Sequence, residues 1–366
     1  MTWSELRADR VLRDIRGLAE EPLAPLELLT ATAECFDDAV PSDASCWSTF
    51  DPATTMVTSA IGRDLDEHGT AAARFFELEY ALDTPGQYRE LATERRSTGL
   101  RFSDQDGPDG VGHAAVRDHL NDMGVGQELR VLFQHQDASW GGVGLMRATT
   151  SAAFSVDELD FAARMAPIVT GAIRGALVRS AVPDLAVHID DGPAVLVVSD
   201  DSIVEATPSA LTWLGELRRG DRGHGEVPTV VQAVAAHASA GHTVAQRARV
   251  ASSWVVLRGA PLGPGRAVVT IERAGPPEVA SIISAALGLT DRELDVVSGV
   301  LQGRSTKQIA GELHLSAYTV QDHLKSVFGK AGVNSRRELV ADVFFGVYAP
   351  RLGQPVGVDG FFDDPA

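Results

Sequence analysis

Residues 289–345 read LTDRELDVVSGVLQGRSTKQIAGELHLSAYTVQDHLKSVFGKAGVNSRRELVADVFF, and helix starts are marked along this whole stretch. Thr290 with Glu293, Ser305 with Gln308 and Ser335 with Glu338 each place a hydroxyl three residues ahead of a side chain that can reach back to it. This is the capping-box pattern, in which two orphan N–H groups of a first turn are satisfied reciprocally. Ser316 can cap a further helix through the turn of Thr319. Gly303 closes the first segment and Gly332 follows the third, as helix-terminating glycines should. The predicted helices are 290–302, 305–312, 317–330 and 335–346.

Only LHLS separates the second helix from the third, a turn short enough to hold two helices at a steep angle. Ile309, Ala310, Leu313, Leu315, Val320 and Leu324 supply a shared core, with the small Ala310 allowing close approach. On the third helix Val320, Leu324 and Val327 point inward at helical spacing, which leaves Gln321, Asp322 and Lys325 outside. An amide, a carboxylate and an ammonium on one surface can match the donors and acceptors of base edges in a major groove. Asp322 sits oddly there, since a carboxylate repels phosphate. It either tunes specificity by accepting from an amino group or points sideways.

The same residues resemble the LuxR family of helix-turn-helix regulators. LTDRE, Gly303, KQIAGEL, AYTV followed by His323, Lys330 and the closing SRREL fall in that family's pattern and spacing, over about 60 residues. The resemblance implies that Lys307, Thr319, His323 and Lys330 contact phosphates of double-stranded DNA. It implies that Gln321, Asp322 and Lys325 face bases, and that Arg336 stabilises the fourth helix or reaches the backbone. Family members bind as dimers, and the resemblance points to the fourth helix, with Leu339 and Val343, as a contact. The rival reading is a four-helix unit for protein contact, as in the DNA-recognition region of sigma factors, but no other sigma-like segment accompanies it.

A net charge of −18 looks wrong for a DNA binder, because phosphate rewards positive charge. Its distribution removes most of the conflict. Residues 1–288 hold 24 Arg, no Lys and 40 acids, whereas residues 289–358 hold 8 basic residues against 7 acids. All 3 lysines of the chain, Lys307, Lys325 and Lys330, fall in the helical segment. The absence of lysine before Lys307 excludes a phosphoacceptor receiver domain and a Walker A loop, both of which need one.

Two further blocks precede the helical one. The first, 22–180, is predicted to run from a helix over Leu26–Phe36 into two strands around Asp51-Pro52. Helices near 70–82 and 87–97, strands in ELRVLFQHQ and WGGVGLMRA, and a long helix from Ser155 follow. The second, 184–274, lies between AVPD and AGPPE and carries the strand AVLVVSD, the segment SIVEATPSALTWLGEL, a helix over 228–240 and two closing strands. In order and patterning the first resembles a GAF domain and the second a degenerate PAS domain. The expected fold is thus multidomain: two α+β domains with antiparallel sheets, then an all-α helix-turn-helix over 281–347. The Gly-, Pro- and Asp-rich tail 350–366 is expected to be disordered.

Both sensory folds enclose a pocket, and Trp47, Phe50, Phe75, Phe76, Tyr80 and Trp140 are candidate wall residues that an ordinary aromatic core explains equally well. His68, His113, His119 and His135 form no ligand motif, and Cys35 and Cys46 have no zinc spacing and read as buried thiols, so neither metal nor cofactor is expected. The stripe Leu159, Ala162, Ala166, Val169, Ile173 and Leu177 exceeds what one small sheet needs and offers a homodimer contact. The N-terminus mixes acids and arginines, and no apolar run is read as approaching membrane-span length, so a cytoplasmic protein with no membrane contact is expected. The leading expectation is a non-enzymatic, sequence-specific DNA-binding regulator, with a small-molecule effector left open. An autoinducer-type quorum regulator is the alternative, with a GAF-type thiol reductase using Cys35 or Cys46, and a regulator that only titrates protein partners, behind it.

Overall fold

A computed structural model describes residues 5–65, 69–103, 111–179, 192–199, 201–223, 227–250 and 253–340. The predicted tail, the AVPD linker, His68 and Val343 lie outside the described residues. Contacts divide the chain into two compact units, Met1–Leu177 with His188–Ala274, and Val178–Val187 with Gly275–Ala366.

In the first unit β1 (Ala44–Asp51) and β2 (Met56–Arg63) form the hairpin around Asp51-Pro52. With β3 (Thr98–Phe102), β4 (Val125–His135) and β5 (Ala138–Ala148) they make an antiparallel sheet in the order β2-β1-β5-β4-β3. Helices α1 (Glu5–Leu18) and α2 (Pro25–Asp37) precede the sheet. Then α3 (Gly69–Phe76), a π-helical turn at Glu77–Ala81, α4 (Tyr88–Thr93) and α5 (Val111–Asp122) fill the connections, and α6 (Val156–Arg179) closes the block. Trp47, Phe36, Phe133 and Phe161 are buried together, with Trp47 edge-on to Phe36 at 5.6 Å between ring centroids.

The second sheet comprises β6 (Ala194–Ser199), β7 (Ser202–Ala206), β8 (Val244–Val250), β9 (Ser253–Pro261) and β10 (Arg266–Arg273), in the order β7-β6-β10-β9-β8. Counted within each sheet, both orders are 2-1-5-4-3, so the topology repeats where the sequence shows no repeat. Helices α7 (Pro208–Arg219) and α8 (Thr229–Ser239) lie between β7 and β8 in the chain. Thr207 caps α7 through its hydroxyl and Pro208 opens it, a good start because proline lacks only an N–H that would be orphaned anyway.

The two sheets are joined through a small set of buried polar contacts. Arg247 on β8 meets the buried Asp51 at the end of β1, its N–H at 2.7 Å and Nε at 3.0 Å. Gln246 donates to the carbonyls of Val57 at 2.7 Å and Met56 at 3.2 Å. The free edge of β2 is covered by residues 221–223, where Asp221 accepts from the Ala60 N–H and Arg222 bridges Ile61. A covered edge cannot template pairing with another chain. Helix α8 buries Thr229–Ala235 and Ala238, packing on β9 and β10 with one side and on β2 and the π-helical turn with the other.

Three expectations change. Elements α1, β3, α5 and β8 were not read from the sequence, and AGPPE, read as a linker, opens a helix, α9 (Pro276–Leu287). Helix α6 is long and apolar enough to cross a bilayer by length and composition, with a mean hydropathy of 1.3, contrary to the reading that no run comes near that. Most of its stripe is not surplus: Ala162, Ala166, Val169 and Ile173 are at most 2% exposed within the chain's own core and Leu177 is buried, while Leu159 is half-buried. Outward along the helix stand Val156, 73% exposed, and Asp157, Asp160, Arg164, Pro167 and Gly171.

The second unit is helical: after α9 come α10 (Asp291–Leu301), α11 (Thr306–Glu312), α12 (Ala317–Ala331) and α13 (Arg336–Val340). Val296, Val300, Ile309, Ala310, Val320, Leu324, Val327 and Leu339 form its core. Gly299 lets α10 and α11 approach closely, since a Cβ there would lie 2.7 Å from Ile309 Cγ1.

Candidate nucleic-acid interface

The caps predicted from sequence set the geometry of this unit. Thr290 and Ser305 head full capping boxes with Glu293 and Gln308, and Ser316 caps α12 by accepting from the Thr319 N–H at 3.0 Å. Glu338 likewise accepts from the Ser335 hydroxyl at 3.0 Å and from the Asn334 N–H at 2.8 Å. The turn between α11 and α12 passes through His314, which takes a left-handed φ of 54° usually left to glycine or asparagine. Leu315 then donates its N–H to the Ala310 carbonyl at 2.9 Å and fixes the exit of the turn.

Helix α12 turns Val320, Leu324 and Val327 into the core and leaves Gln321, Asp322 and Lys325 exposed. Tyr318 stands on that same outward face, three residues before Gln321, and is 73% exposed. It is absent from the residues expected at the interface, although helical spacing alone places it with Gln321, Asp322 and Lys325. A phenol ring left in water on this face is a surface ready for contact, as it brings both apolar area and a hydroxyl.

The remaining residues divide between free and engaged groups. Lys307 and Lys325 are exposed and have no ion-pair partner among the described residues. Thr319 and His323 are half-buried at the margin, the Thr319 hydroxyl lying 2.8 Å from Ser316 Oγ. Lys330 is engaged: its Nζ donates to Glu293 Oε2 at 2.6 Å and to the Gly288 carbonyl at 2.8 Å. Glu293 is buried, and burial pushes its carboxyl up. Bonds from Lys330, Ser326 and Thr290 outweigh this and bring it down to about 2. Arg336 donates to the carbonyls of Arg304 and Val300, binding α13 to the end of α10. Leu339, expected at a dimer contact, is 1% exposed in the core.

Elsewhere, of the six candidate wall aromatics, Phe75 and Phe76 line a cavity against the first sheet. Trp47, Trp140 and Phe50 are buried core side chains, and the Tyr80 hydroxyl accepts from the Val57 N–H at 2.9 Å. His119 lines the cavity, and among the described residues no group of three His, Cys, Asp or Glu side chains is placed to hold a metal. Cys35 and Cys46 are free and half-buried rather than fully buried, and burial pushes the Cys46 thiol up to about 11.

Comparison with known proteins bears on the helical unit. Residues 287–342 match the family described as bacterial regulatory proteins, luxR family. The HTH-type transcriptional regulator MalT of Klebsiella pneumoniae is 39% identical over 64 residues, and that of Cronobacter sakazakii is equally similar over the same length. These matches cover 18% of this chain and 7% of each relative. The C-terminal helices are therefore a LuxR-type helix-turn-helix domain. Among solved structures, the phycoerythrobilin-bound GAF domain of a cyanobacterial phytochrome aligns with 46% of this chain and 96% of its own, at 18% identity and a TM-score of 0.35. The N-acylhomoserine lactone dependent LuxR family factor CepR2 of Burkholderia cenocepacia aligns with 45% of this chain and 93% of its own, at 11% identity and a TM-score of 0.32. Overlap that loose carries no argument about the front two sheets or what they bind.

Proposed function

We propose that the chain is a cytoplasmic, homodimeric, sequence-specific DNA-binding regulator of transcription, whose helix-turn-helix is governed by a GAF-like and a PAS-like sensory domain. The observation that carries this reading is the outward face of α12, where Tyr318, Gln321, Asp322 and Lys325 stand exposed on the second helix of the helix-turn-helix. That helix enters the major groove in this class of motif. Gln321, Asp322 and Lys325 then meet base edges, while Lys307, Thr319 and His323 approach phosphates. Lys330 and Arg336 hold the helices in place rather than the DNA.

The charge balance supports dimerisation. A head with so few free cations gains little from phosphate, so two heads on paired half-sites are needed for useful affinity. The thiol-reductase alternative loses ground, because a thiol raised to about 11 is protonated at neutral pH and the thiolate is the nucleophile. Selection of duplexes from a random pool by the purified full chain tests the reading. A two-fold symmetric motif bound with salt-dependent affinity is expected. Salt-independent recovery without any motif would favour a regulator that acts only on proteins.

A further inference from the structure

The cavity against the first sheet measures about 370 Å³, within the range of small-molecule sites. Its floor is laid by Cys46, Glu128, Arg130 and Gly144. Gly144 is needed there, since a Cβ would come 2.8 Å from Glu128 Oε1. One wall is not from this sheet at all: Thr229 and Gln232 of α8 belong to the second block in the chain.

The polar groups in this cavity are unequally satisfied. Arg130, 1% exposed, bonds Glu79 at 2.6 Å, Glu128 at 3.0 Å and the Gly86 carbonyl at 3.1 Å, and its guanidinium lies 4.7 Å from the centroid of the Tyr88 ring. Arg101, also buried, donates through Nε to the Pro85 carbonyl at 2.9 Å, but its Nη2 has no hydrogen-bond partner. The Glu79 carboxylate stands 3.9 Å from Nη2, and that of Glu128 stands 3.7 Å from Nη1. Gln232 and His119 also line the cavity without a side-chain hydrogen bond among the described residues. A buried donor left unpaired is costly, and Arg101 Nη2 beside two further polar side chains that line the same cavity marks a place for a partner.

Charge narrows what that partner is. Arg101 and Arg130 are already matched in number by Glu79 and Glu128, so a ligand carboxylate would add an uncompensated negative charge beside two others. A neutral oxygen acceptor satisfies Nη2 without that penalty. Phe75, Phe76 and Met146 supply the apolar surroundings. We propose that this cavity binds a neutral, largely apolar carbonyl compound whose oxygen accepts from Arg101 Nη2 and whose other polar group meets the Gln232 amide. The site deepens the sensory reading above and rests on it only for its consequence, because binding itself can be measured without DNA.

The test uses the full chain and three probes of similar bulk: N-hexylbenzamide, 4-hexylbenzoate and hexylbenzene. Binding is followed by calorimetry and by the shift in unfolding temperature. The amide should bind at least tenfold more tightly than either control, and Arg101→Met and Gln232→Leu should each reduce that preference about tenfold. Arg101→Lys, which keeps the charge near its carboxylates, guards against a misfolded variant and should retain partial binding. Preference for the benzoate, equal binding of hexylbenzene, amide binding indifferent to both substitutions, or binding of none of the three overturns the proposal. Loss of DNA binding with probe binding intact would instead count against the regulatory reading alone.

Discussion

Lys330 Nζ lies 2.6 Å from the Glu293 carboxylate, which ties the last turn of α12 to the first turn of α10. Glu293 answers to Thr290 and Ser326 as well, so one buried carboxylate closes a capping box and an interhelix staple together. Loss of either partner leaves the other unsatisfied. Glu293→Gln is expected to destabilise the helical unit by about 2–3 kcal/mol at neutral pH. Because its carboxyl is lowered from 4.5 to about 2, the contribution is full above 4.5 and is lost as pH falls toward 2. Wild type and variant should therefore converge in acid when unfolding is followed by circular dichroism across that window. A gap that persists below 2 would contradict this.

The same contact changes what Lys330→Ala should do. A lysine held by a carboxylate and a carbonyl contributes mainly to folding. Its loss should lower the unfolding temperature while leaving the salt dependence of DNA binding unchanged. A slope in log affinity against log salt that flattens by about 1, with stability intact, would restore it to the phosphate backbone.

Lys307 and Lys325 are predicted to behave differently from Lys330 and from each other. Lys307→Ala should weaken binding to all duplexes alike and reduce the salt slope by about 1. Lys325→Ala should cost the selected sequence more than a scrambled one, by about 1–3 kcal/mol of discrimination. Competition titrations at two salt concentrations separate the two effects.

Tyr318 makes no demand on the fold, so Tyr318→Ala should change stability by no more than about 0.5 kcal/mol. It should nonetheless lower affinity for the selected duplex roughly tenfold, a loss of about 1.4 kcal/mol. Unchanged affinity would mean that the ring lies outside the interface.

Asp51 and Arg247 predict a fault in the first unit. Asp51 is 2% exposed, and Asp51→Ala takes away the carboxylate that the Arg247 N–H, Nε and Nη2 all contact. Breaking such a pair costs about 3–5 kcal/mol. The unfolding transition of the sheet-containing unit should fall accordingly, while Asp51→Ala with Arg247→Met should recover part of the loss.

What could be read from the sequence follows how local each signal is. The caps of α10, α11 and α12 rest on contacts three residues apart, and each is found where the sequence places it. Helix α8 is legible as a helix, and apolar residues around most of its circumference are the clue that both sides are covered. The alternation in VAQRARV and the spacing of Val11, Leu12 and Ile15 are equally local signals for β8 and α1. The staple from Lys330 to Glu293 spans 37 residues, and the Arg101 donor is defined by distances across three elements, so no local pattern announces either. The burial of the stripe on α6 is beyond local pattern for the same reason, since what covers a helix is not written in the helix.

The central claim is that the outward face of α12 reads DNA sequence. The most direct measurement is the affinity ratio between the selected duplex and a scrambled duplex of equal length, for the wild type and for a chain carrying Gln321→Ala and Lys325→Ala. The account predicts a wild-type ratio on the order of 10³ or more, falling by about tenfold or greater in the double variant while the scrambled duplex is bound nearly as before. A ratio unchanged by the two substitutions would contradict it.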